Sequence, residues 1–294
     1  MKIVDLGTCG IQTSYLGLGT SAAYDGAVVP AKLLVNDYPE LLCFGYEQGV
    51  TFWDTSLTYG THVAVKEALK SVPRDGVVIC TKTEAVNAQN VEKSVERSLK
   101  EMDTDYIDIF LLQCLRNRFD FRYRSKALEA LCRMKEKGYV RAVGISSHGL
   151  GALEACKNSA EIDIIMGRVN YSGHLMDSNQ DNLKSTIAGM PAIKNMLKKI
   201  MPDQYFKTIA NVVQKPIASE DDRKTALKLF KDLHEMGKSI IGMKIIGEGN
   251  LAHDINGAIK FITGLPFIKS IVLGCCSKEE IISAIKAIDS LDNN

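Results

Sequence analysis

Three polar residues have the types and the spacing of a proton-transfer site. Asp54 ends an apolar run over residues 49–53, and Tyr59 follows it by five positions. A second apolar run, residues 77–80, leads to Lys82. An ammonium group beside a carboxylate keeps both groups charged, and the cation lowers the pKa of a nearby phenol from its ordinary value of about 10. We therefore predict that Tyr59 donates a proton to a substrate at neutral pH.

Alternating apolar runs and amphipathic segments predict the elements that bring these residues together. The clearest helix is the segment 91–102, in which Val91, Val95, Leu99 and Met102 recur every three or four positions. Eight apolar runs, each followed by a helical segment, indicate parallel strands in a closed (β/α)₈ TIM barrel. An open, doubly wound sheet is the competing architecture. The G-x-G-x-x-G turn with which such sheets bind a dinucleotide is absent after the first strand.

Two segments fall outside the eightfold pattern. Residues 1–13 predict an N-terminal β-hairpin, because Gly7 and Gly10 separate two short alternating runs. Residues 172–219 contain three prolines and interrupt the alternation after the sixth strand. We interpret this stretch as a long insertion in a single barrel domain of residues 1–294, and it forms either a lid over the site or an oligomer contact.

Composition argues against several classes of partner. The chain has 294 residues with 36 basic and 35 acidic side chains, so no overall charge attracts nucleic acid or an acidic membrane surface. No apolar stretch is long enough to cross a bilayer, and the N-terminus is acidic, at Asp5, too early for a signal peptide. Eight cysteines without a C-x-x-C pair indicate reduced thiols, typical of a cytoplasmic protein.

Motifs of other enzyme classes are missing. None of the five histidines belongs to an H-x-H or H-E-x-x-H motif, so a metal-dependent hydrolase would lack its ligands. No G-x-S-x-G nucleophile turn occurs either. We therefore predict no metal site.

The active site of a closed parallel barrel lies at the carboxyl ends of its strands. These predicted ends carry mostly polar residues, although each follows an apolar run. The set is Thr20, Asp54, Lys82, Gln113, Ser146, Arg168 or Asn170, Lys244 and Gly274.

Six short motifs follow one another along the chain. They are Asp54-Thr55-Ser56-x-x-Tyr59-Gly60, Thr81-Lys82-Thr83, Thr104-Asp105-Tyr106-Ile107-Asp108, Val143-Gly144-Ile145-Ser146-Ser147, Met243-Lys244 and Val272-Leu273-Gly274. Together they resemble the aldo-keto reductase family. The resemblance implies NAD(P)-dependent carbonyl reduction, with Tyr59 as the general acid, Lys82 lowering the pKa of Tyr59, and Asp54 paired with Lys82.

One position of the family's catalytic set departs from the family pattern. The family usually ends its fourth strand on a histidine, and here this strand ends on Gln113. A glutamine amide donates a hydrogen bond to a carbonyl oxygen but does not titrate. This substitution leaves two alternatives to carbonyl reduction open. One is a slow or inactive nucleotide-binding regulatory protein, and the other is a lyase or epimerase that uses a retained NAD(P).

The resemblance also implies a nicotinamide site at the strand ends. Ser146 and Ser147 would hold the carboxamide, and Thr20 ends the first strand at the same rim. Arg168 stands where the family commonly has a glutamine. It binds the cofactor or an anionic substrate, or it is directed into an ion pair, and both interpretations stay open.

The phosphate side of the cofactor is assigned to the loops after the last two strands, where backbone N–H groups and a helix N-terminus bind anions. Lys278 would reach the 2′-phosphate of NADP, whereas a carboxylate at Glu280 favours the bare ribose hydroxyl of NAD. The cofactor is therefore predicted as NADP or NAD. The remaining residues assigned to this side are Lys244, Gly247, Gly249, Gly274 and Ser277.

A basic loop follows the predicted fourth strand. Residues 116–126 contain five cations and three aromatic side chains. We assign Arg116 and Arg118 of this loop, together with Trp53, to a small carbonyl or alcohol substrate, with the arginines attracting an anionic group. The alternative is a solvated loop whose cations pair with acidic neighbours.

Overall fold

The computed structural model describes residues 1–23, 33–179 and 217–292, together with residues 196, 199, 200 and 202. Most of the insertion predicted at residues 172–219 lies outside the described residues, and so does the question of whether it forms a lid or an oligomer contact. Among the described residues, no helix combines the length and the apolar character needed to span a membrane.

Eight parallel strands close into a barrel, as the sequence predicts, and a two-stranded antiparallel hairpin precedes them. The hairpin pairs β1 (Ile3–Asp5) with β2 (Gln12–Ser14). Each barrel strand pairs with its neighbours in sequence, and the last strand pairs with the first to close the barrel. The barrel strands are β3 (Leu16–Gly19), β4 (Phe52–Asp54), β5 (Val78–Thr83), β6 (Ile107–Leu115), β7 (Val140–Ser147), β8 (Ile164–Arg168), β9 (Ser239–Met243) and β10 (Ile268–Leu273).

Helices follow the strands and cover the barrel. The helix α3 (Ala88–Met102) shows why they form. Val91, Val95 and Met102 are buried on one face, and the Asn87 side chain accepts a hydrogen bond from the backbone N–H of Asn90 at 2.9 Å. The helices are α1 (Tyr38–Glu47), α2 (His62–Ala68), α3 (Ala88–Met102), α4 (Arg118–Tyr123), α5 (Ser125–Glu136), α6 (Leu150–Cys156), α7 (Glu220–Glu235), α8 (Ile255–Thr263) and α9 (Lys278–Asp292).

The short helix α4 was not expected, because the sequence of residues 116–126 indicates a loop. Asn117 explains its formation, since the side chain of Asn117 accepts a hydrogen bond from the backbone N–H of Asp120 at 2.9 Å and so caps the helix. Two of the five basic residues, Arg118 and Arg122, therefore lie on a short helix that follows β6.

The hydrophobic core consists of two clusters, because successive side chains of a strand point to opposite faces. The outer cluster lies between the strands and the helices and includes Trp53, Ile79 and Phe110. The inner cluster fills the barrel, and its strand residues are Phe52, Val78, Cys80, Ile109, Leu111, Ala142, Ile164, Met166, Ile241, Met243 and Val272. All eight cysteines are free thiols.

Candidate active site

A polar layer caps the carboxyl end of the barrel interior. In each strand every second residue points into the barrel, and most of these inward residues are apolar. In five neighbouring strands the last inward residue is polar instead. All five residues are almost completely buried. They are Asp54, Lys82, Gln113, Ser146 and Arg168.

Asp54 and Lys82 form a buried ion pair, as predicted. Lys82 Nζ lies 2.5 Å from Asp54 Oδ1 and donates a second hydrogen bond to the carbonyl oxygen of Thr55 at 2.9 Å. Although burial opposes its charge, the attraction of Asp54 and Tyr59 raises the pKa of Lys82 above its ordinary value. Lys82 is therefore an ammonium at any physiological pH.

Tyr59 stands over this pair, with Lys82 Nζ 5.4 Å from the centroid of its ring. Lys82 lowers the pKa of Tyr59, as the sequence suggests, but this effect does not decide the net direction. Burial has the larger effect and raises the pKa of Tyr59 well above its ordinary value, and Asp54 adds to the increase. The expectation of a lowered pKa is therefore wrong for the structure, and the phenol stays protonated at neutral pH.

A chain of hydrogen-bonded threonine hydroxyl groups lies next to the backbone of Asp54. Thr61 Oγ1 lies 2.7 Å from Thr20 Oγ1 and 2.8 Å from Thr55 Oγ1, and Thr20 Oγ1 donates to the carbonyl oxygen of Asp54 at 3.1 Å. Thr20 is fully buried in this network. It therefore holds the end of β4 in place, and it does not line the cavity next to Tyr59.

Gln113 ends the inward row of β6 where the strand is distorted. Cys114 follows with φ of 60°, and the pairing of β6 with β7 shifts register between Leu112 and Leu115. The side-chain oxygen of Gln113 accepts a hydrogen bond of 2.5 Å from Ser56 Oγ. The backbone carbonyl of Gln113 accepts a hydrogen bond from Arg124 at 2.8 Å, so both parts of the residue are held in place.

Arg168 forms a buried ion pair, which is the second of the two interpretations of this residue. Its Nε lies 2.8 Å from Asp177 Oδ1, its Nη2 donates to the carbonyl oxygen of His148 at 2.5 Å, and both members of the ion pair are buried. Arg168 therefore joins β8 to the segment after it, and it does not line the cavity that holds Asp54, Tyr59 and Lys82.

The two serines of β7 have different environments. Ser147 Oγ is turned back into its own loop, 3.2 Å from the carbonyl oxygen of Gly149, so its assignment to the carboxamide is not supported. Ser146 belongs to the inward polar layer, and within the described part of the chain its hydroxyl has no hydrogen-bond partner. Ser146 therefore keeps a donor and an acceptor for a bound molecule.

A cavity of about 290 Å³ begins at Asp54, Tyr59 and Lys82 and extends to the start of α9. The cavity is lined by the catalytic candidates at one end and by some of the residues predicted to bind the cofactor phosphates at the other. Gly249 and Gly274 line it, whereas Gly247 lies behind it with its Cα facing His174. The other predicted residues that line the cavity are Lys244 and Glu280.

Lys244 does not carry a free charge into the cavity. Its Nζ is hydrogen-bonded to Oε1 of Glu248, which belongs to the Gly247–Gly249 turn. The other carboxylate oxygen, Glu248 Oε2, is buried and has no hydrogen-bond partner within the described residues. A buried acceptor without a partner is costly. The cavity therefore fits a bound molecule that presents a hydroxyl or N–H group to Glu248.

Lys278 and Glu280, which predict opposite cofactor preferences, both lie in the first turn of α9 but point in different directions. Ser277 Oγ accepts a hydrogen bond from the backbone N–H of Glu280 at 3.2 Å, and the Glu280 carboxylate accepts one from the backbone N–H of Cys276 at 2.7 Å. Lys278 is turned away from the cavity, since its Nζ lies 2.5 Å from Glu40 Oε1 and 5.3 Å from the ring centroid of Phe44. Only the acidic residue of the two faces the cavity.

The predicted substrate residues do not come together. Trp53 is 0% exposed and packs in the outer cluster, because Asp54 next to it points inward. Its assignment to the substrate is therefore wrong. Arg118 begins α4 and is exposed at the surface, away from the cavity lining. Arg116 is half-buried close to Gln113, and its Nη1 is 3.5 Å from the carbonyl oxygen of Cys114.

Comparison with known proteins decides the family. The model of the aldo/keto reductase family matches residues 16–188, which is more than half of the chain. The chain belongs to the aldo-keto reductase family. The match includes the ion pair, the tyrosine and Gln113, so the aldo-keto reductase resemblance drawn from six short motifs is confirmed.

Two curated relatives illustrate the distance to known aldo-keto reductases. The NADH-specific methylglyoxal reductase of Escherichia coli is 25% identical over 201 residues, which cover 60% of this chain and 62% of that protein. The aldo-keto reductase YhdN of Bacillus subtilis is 24% identical over 224 residues, which cover 70% of this chain and 66% of that protein. The chain thus spans less than two thirds of the length of either relative.

Solved structures support the fold of this aldo-keto reductase. The crystal structure of a Pseudomonas aeruginosa protein covers 98% of this chain and 94% of that protein, with a TM-score of 0.70 and 19% sequence identity. An aldo-keto reductase from Bacillus halodurans in its holo form covers 98% of this chain and 91% of that protein, with a TM-score of 0.65 and 17% identity.

Sequence reasoning missed three residues at the site of this aldo-keto reductase. Ser56 was quoted as part of a motif, but its partner Gln113 lies 57 positions away. Asp177 carried a usable signal, since it follows Arg168 by nine positions with the opposite charge. Glu248 carried a weaker one, because it follows Lys244 by four positions.

Proposed function

We propose that the protein reduces the carbonyl group of a small molecule with a hydride from NAD(P)H. The observation that carries this proposal is the cavity in which Tyr59 stands over the buried Asp54–Lys82 pair and which continues to the start of α9. Membership of the aldo-keto reductase family supports it. When bound, the nicotinamide would supply the hydride, a reaction that side chains alone cannot perform.

The cavity residues fit a dinucleotide. Gly249 and Gly274 leave its wall open, since a Cβ atom at either position would have no close contact. Glu248 Oε2 offers an acceptor to a ribose hydroxyl. Ser146, at the other end of the site, retains a hydroxyl for an amide group. Hydroxyls, an amide and negative charge are the polar features of a nicotinamide dinucleotide.

Tyr59 performs the proton transfer in this proposal. Its hydroxyl donates a proton to the carbonyl oxygen of the substrate, and the Lys82 ammonium stabilises the phenolate that remains. Asp54 holds Lys82 in place through their 2.5 Å contact. Because burial raises the pKa of Tyr59, the protonated form required for reduction is present across the physiological range.

The raised pKa of Tyr59 predicts opposite pH dependences for the two directions of the reaction. Reduction requires the phenol, which is the form below its pKa, so kcat/KM for a carbonyl is expected to stay level to beyond about pH 10. Oxidation of the alcohol requires the phenolate and is expected to rise with pH over the same range. Initial rates in both directions at constant ionic strength test this, and a fall in reduction between pH 7 and about pH 9 would contradict it.

The geometry of α9 favours NADH over NADPH. Glu280 faces the cavity with its carboxylate at the first turn of the helix, where it would repel a 2′-phosphate and accept a hydrogen bond from a ribose hydroxyl. Lys278, the cation that would favour NADPH, is engaged with Glu40 on the other side. The name of the Escherichia coli relative, an NADH-specific reductase, agrees with this preference.

Replacing Glu280 by arginine is expected to change the cofactor preference. The wild-type protein should bind NADH more tightly than NADPH, and E280R should shift the ratio of the two dissociation constants toward NADPH by about 10- to 100-fold, the value of one charge-assisted contact. Fluorescence titrations with both nucleotides measure this ratio. The matched control is E279R on the same helical turn, because Glu279 does not line the cavity. An equal shift in both variants would show a general charge effect instead.

The substrate carries an anionic group in our proposal, and Arg116 binds it. No carboxylate in the described part of the chain pairs with Arg116, since its neighbour Asp120 is paired with Arg124 at 2.9 Å. The test is NADH consumption with methylglyoxal, benzaldehyde and 4-carboxybenzaldehyde. A lower KM for the carboxylated aldehyde than for benzaldehyde is expected. Turnover of none of them, with NADH bound, would contradict the proposed function.

A further inference from the structure

The amide of Gln113 has two ends, and only one of them is useful for carbonyl reduction. The –NH₂ end donates a hydrogen bond to a carbonyl oxygen, whereas the oxygen end would repel it. An amide rotates between two orientations of the same shape, which differ only in where the oxygen and the nitrogen lie. The site therefore requires some contact that selects one orientation.

The contact with Ser56 identifies which end of the amide faces the protein. Ser56 Oγ is 2.5 Å from the side-chain oxygen of Gln113, within the range of an O–H···O hydrogen bond and shorter than the range of an N–H···O bond. Thr58 Oγ1 is 3.4 Å from the same oxygen. The –NH₂ group is therefore on the other side of the amide, away from Ser56 and Thr58.

The backbone of the loop after β4 fixes the direction in which Ser56 donates. The backbone N–H of Thr58 donates to Ser56 Oγ at 3.3 Å, and Thr58 Oγ1 lies 3.0 Å from Ser56 Oγ. Ser56 thus accepts from Thr58, and its own proton is available to Gln113. The carbonyl oxygen of Lys82 is a more distant acceptor, 3.3 Å from Ser56 Oγ.

Burial makes this selection effective. Ser56 is 0% exposed and Gln113 is 5% exposed, so water does not replace the hydroxyl. Lys82 supplies both the ammonium beside Tyr59 and the carbonyl oxygen beside Ser56. The residue that directs Gln113 is therefore anchored to the same strand end as the proton-transfer group.

We propose that Ser56 is a positioning residue that holds the amide of Gln113 with its –NH₂ group toward the reacting carbonyl oxygen. This inference rests on the proposed carbonyl reduction. In this proposal Ser56 supplies the contact that selects one of the two orientations of the Gln113 amide. Thr58 contributes a weaker contact to the same oxygen.

A double-mutant cycle on turnover tests the proposal. Ser56→Ala is expected to lower kcat by about 3- to 10-fold, the value of one hydrogen bond, without changing the dissociation constant of NADH. Ser56→Thr, which keeps the hydroxyl, should restore kcat. In a Gln113→Leu background, Ser56→Ala should have no further effect, because the amide that Ser56 directs is gone. The matched control is Ser98→Ala, since Ser98 is an equally buried serine whose hydroxyl bonds within α3.

A second measurement does not depend on turnover. In protein labelled with ¹⁵N-glutamine, the side-chain –NH₂ signals of Gln113 are identified by their loss in Gln113→Leu. Ser56→Ala should shift or split these signals, and Ser98→Ala should leave them unchanged. Unchanged Gln113 signals in Ser56→Ala, or additive losses of kcat in the double variant, would overturn the role of Ser56. Absence of carbonyl turnover in the wild-type protein would instead contradict the proposed function, and the signals would still decide the orientation.

Discussion

Replacing Tyr59 by phenylalanine is expected to reduce kcat for carbonyl reduction by about 10²- to 10⁴-fold, the range for loss of a general acid. The nucleotide should still bind with an unchanged dissociation constant, because the variant removes one hydroxyl group and leaves the Asp54–Lys82 pair intact. Single-turnover rates with NADH and a carbonyl substrate, together with nucleotide titrations, measure the two effects separately.

A control variant distinguishes this result from a general loss of fold. Tyr139→Phe makes the same chemical change at an exposed tyrosine that precedes β7, at the opposite end of the barrel. It should leave kcat unchanged. Full turnover in Tyr59→Phe would contradict the assignment of Tyr59 as the acid.

Replacing Asp177 by alanine is expected to lower the free energy of unfolding by about 3–5 kcal/mol, because it leaves the Arg168 guanidinium buried without its counter-ion. Burial is the main reason for the cost, and it also raises the pKa of the Asp177 carboxyl above its ordinary value even though Arg168 opposes this. Equilibrium unfolding in urea, followed by far-ultraviolet circular dichroism, measures the change.

The double variant Arg168→Met with Asp177→Leu should be much more stable than Asp177→Ala alone, since it removes both charges together. The control is Glu129→Ala, which breaks the exposed Lys126–Glu129 pair and should change stability little. If Asp177→Ala unfolds at the same urea concentration as the wild type, the Arg168–Asp177 pair does not hold β8 to the following segment.

The strand ends were predictable from the sequence, because one rule governs them. Alternation within a strand places Asp54, Lys82 and Gln113 on the inner face, and closure of the barrel brings their ends together. The same rule also predicts that Trp53 points outward, because its neighbour Asp54 points inward. The Asp54–Lys82 ion pair was therefore predictable from the pattern of apolar runs alone.

The directions of the side chains on α9 were not predictable in this way. Lys278 and Glu280 are two positions apart on α9, and residues at that spacing do not share a face of a helix. Which of them faces the cavity depends on the packing of α9 against α1, where Glu40 holds Lys278. The direction in which the pKa of Tyr59 shifts likewise depends on its burial in the fold, and burial outweighs the effect of the Lys82 charge.

The most direct test of the account is hydride transfer followed with deuterium. The protein is mixed with NADH that carries deuterium at both hydrogens of nicotinamide C4 and with methylglyoxal or 4-carboxybenzaldehyde, and the products are analysed by mass spectrometry. We expect an alcohol with deuterium on the former carbonyl carbon, and a much slower appearance of this product in Tyr59→Phe. Bound NADH with no deuterium in any product would contradict carbonyl reduction and favour a nucleotide-binding regulatory protein.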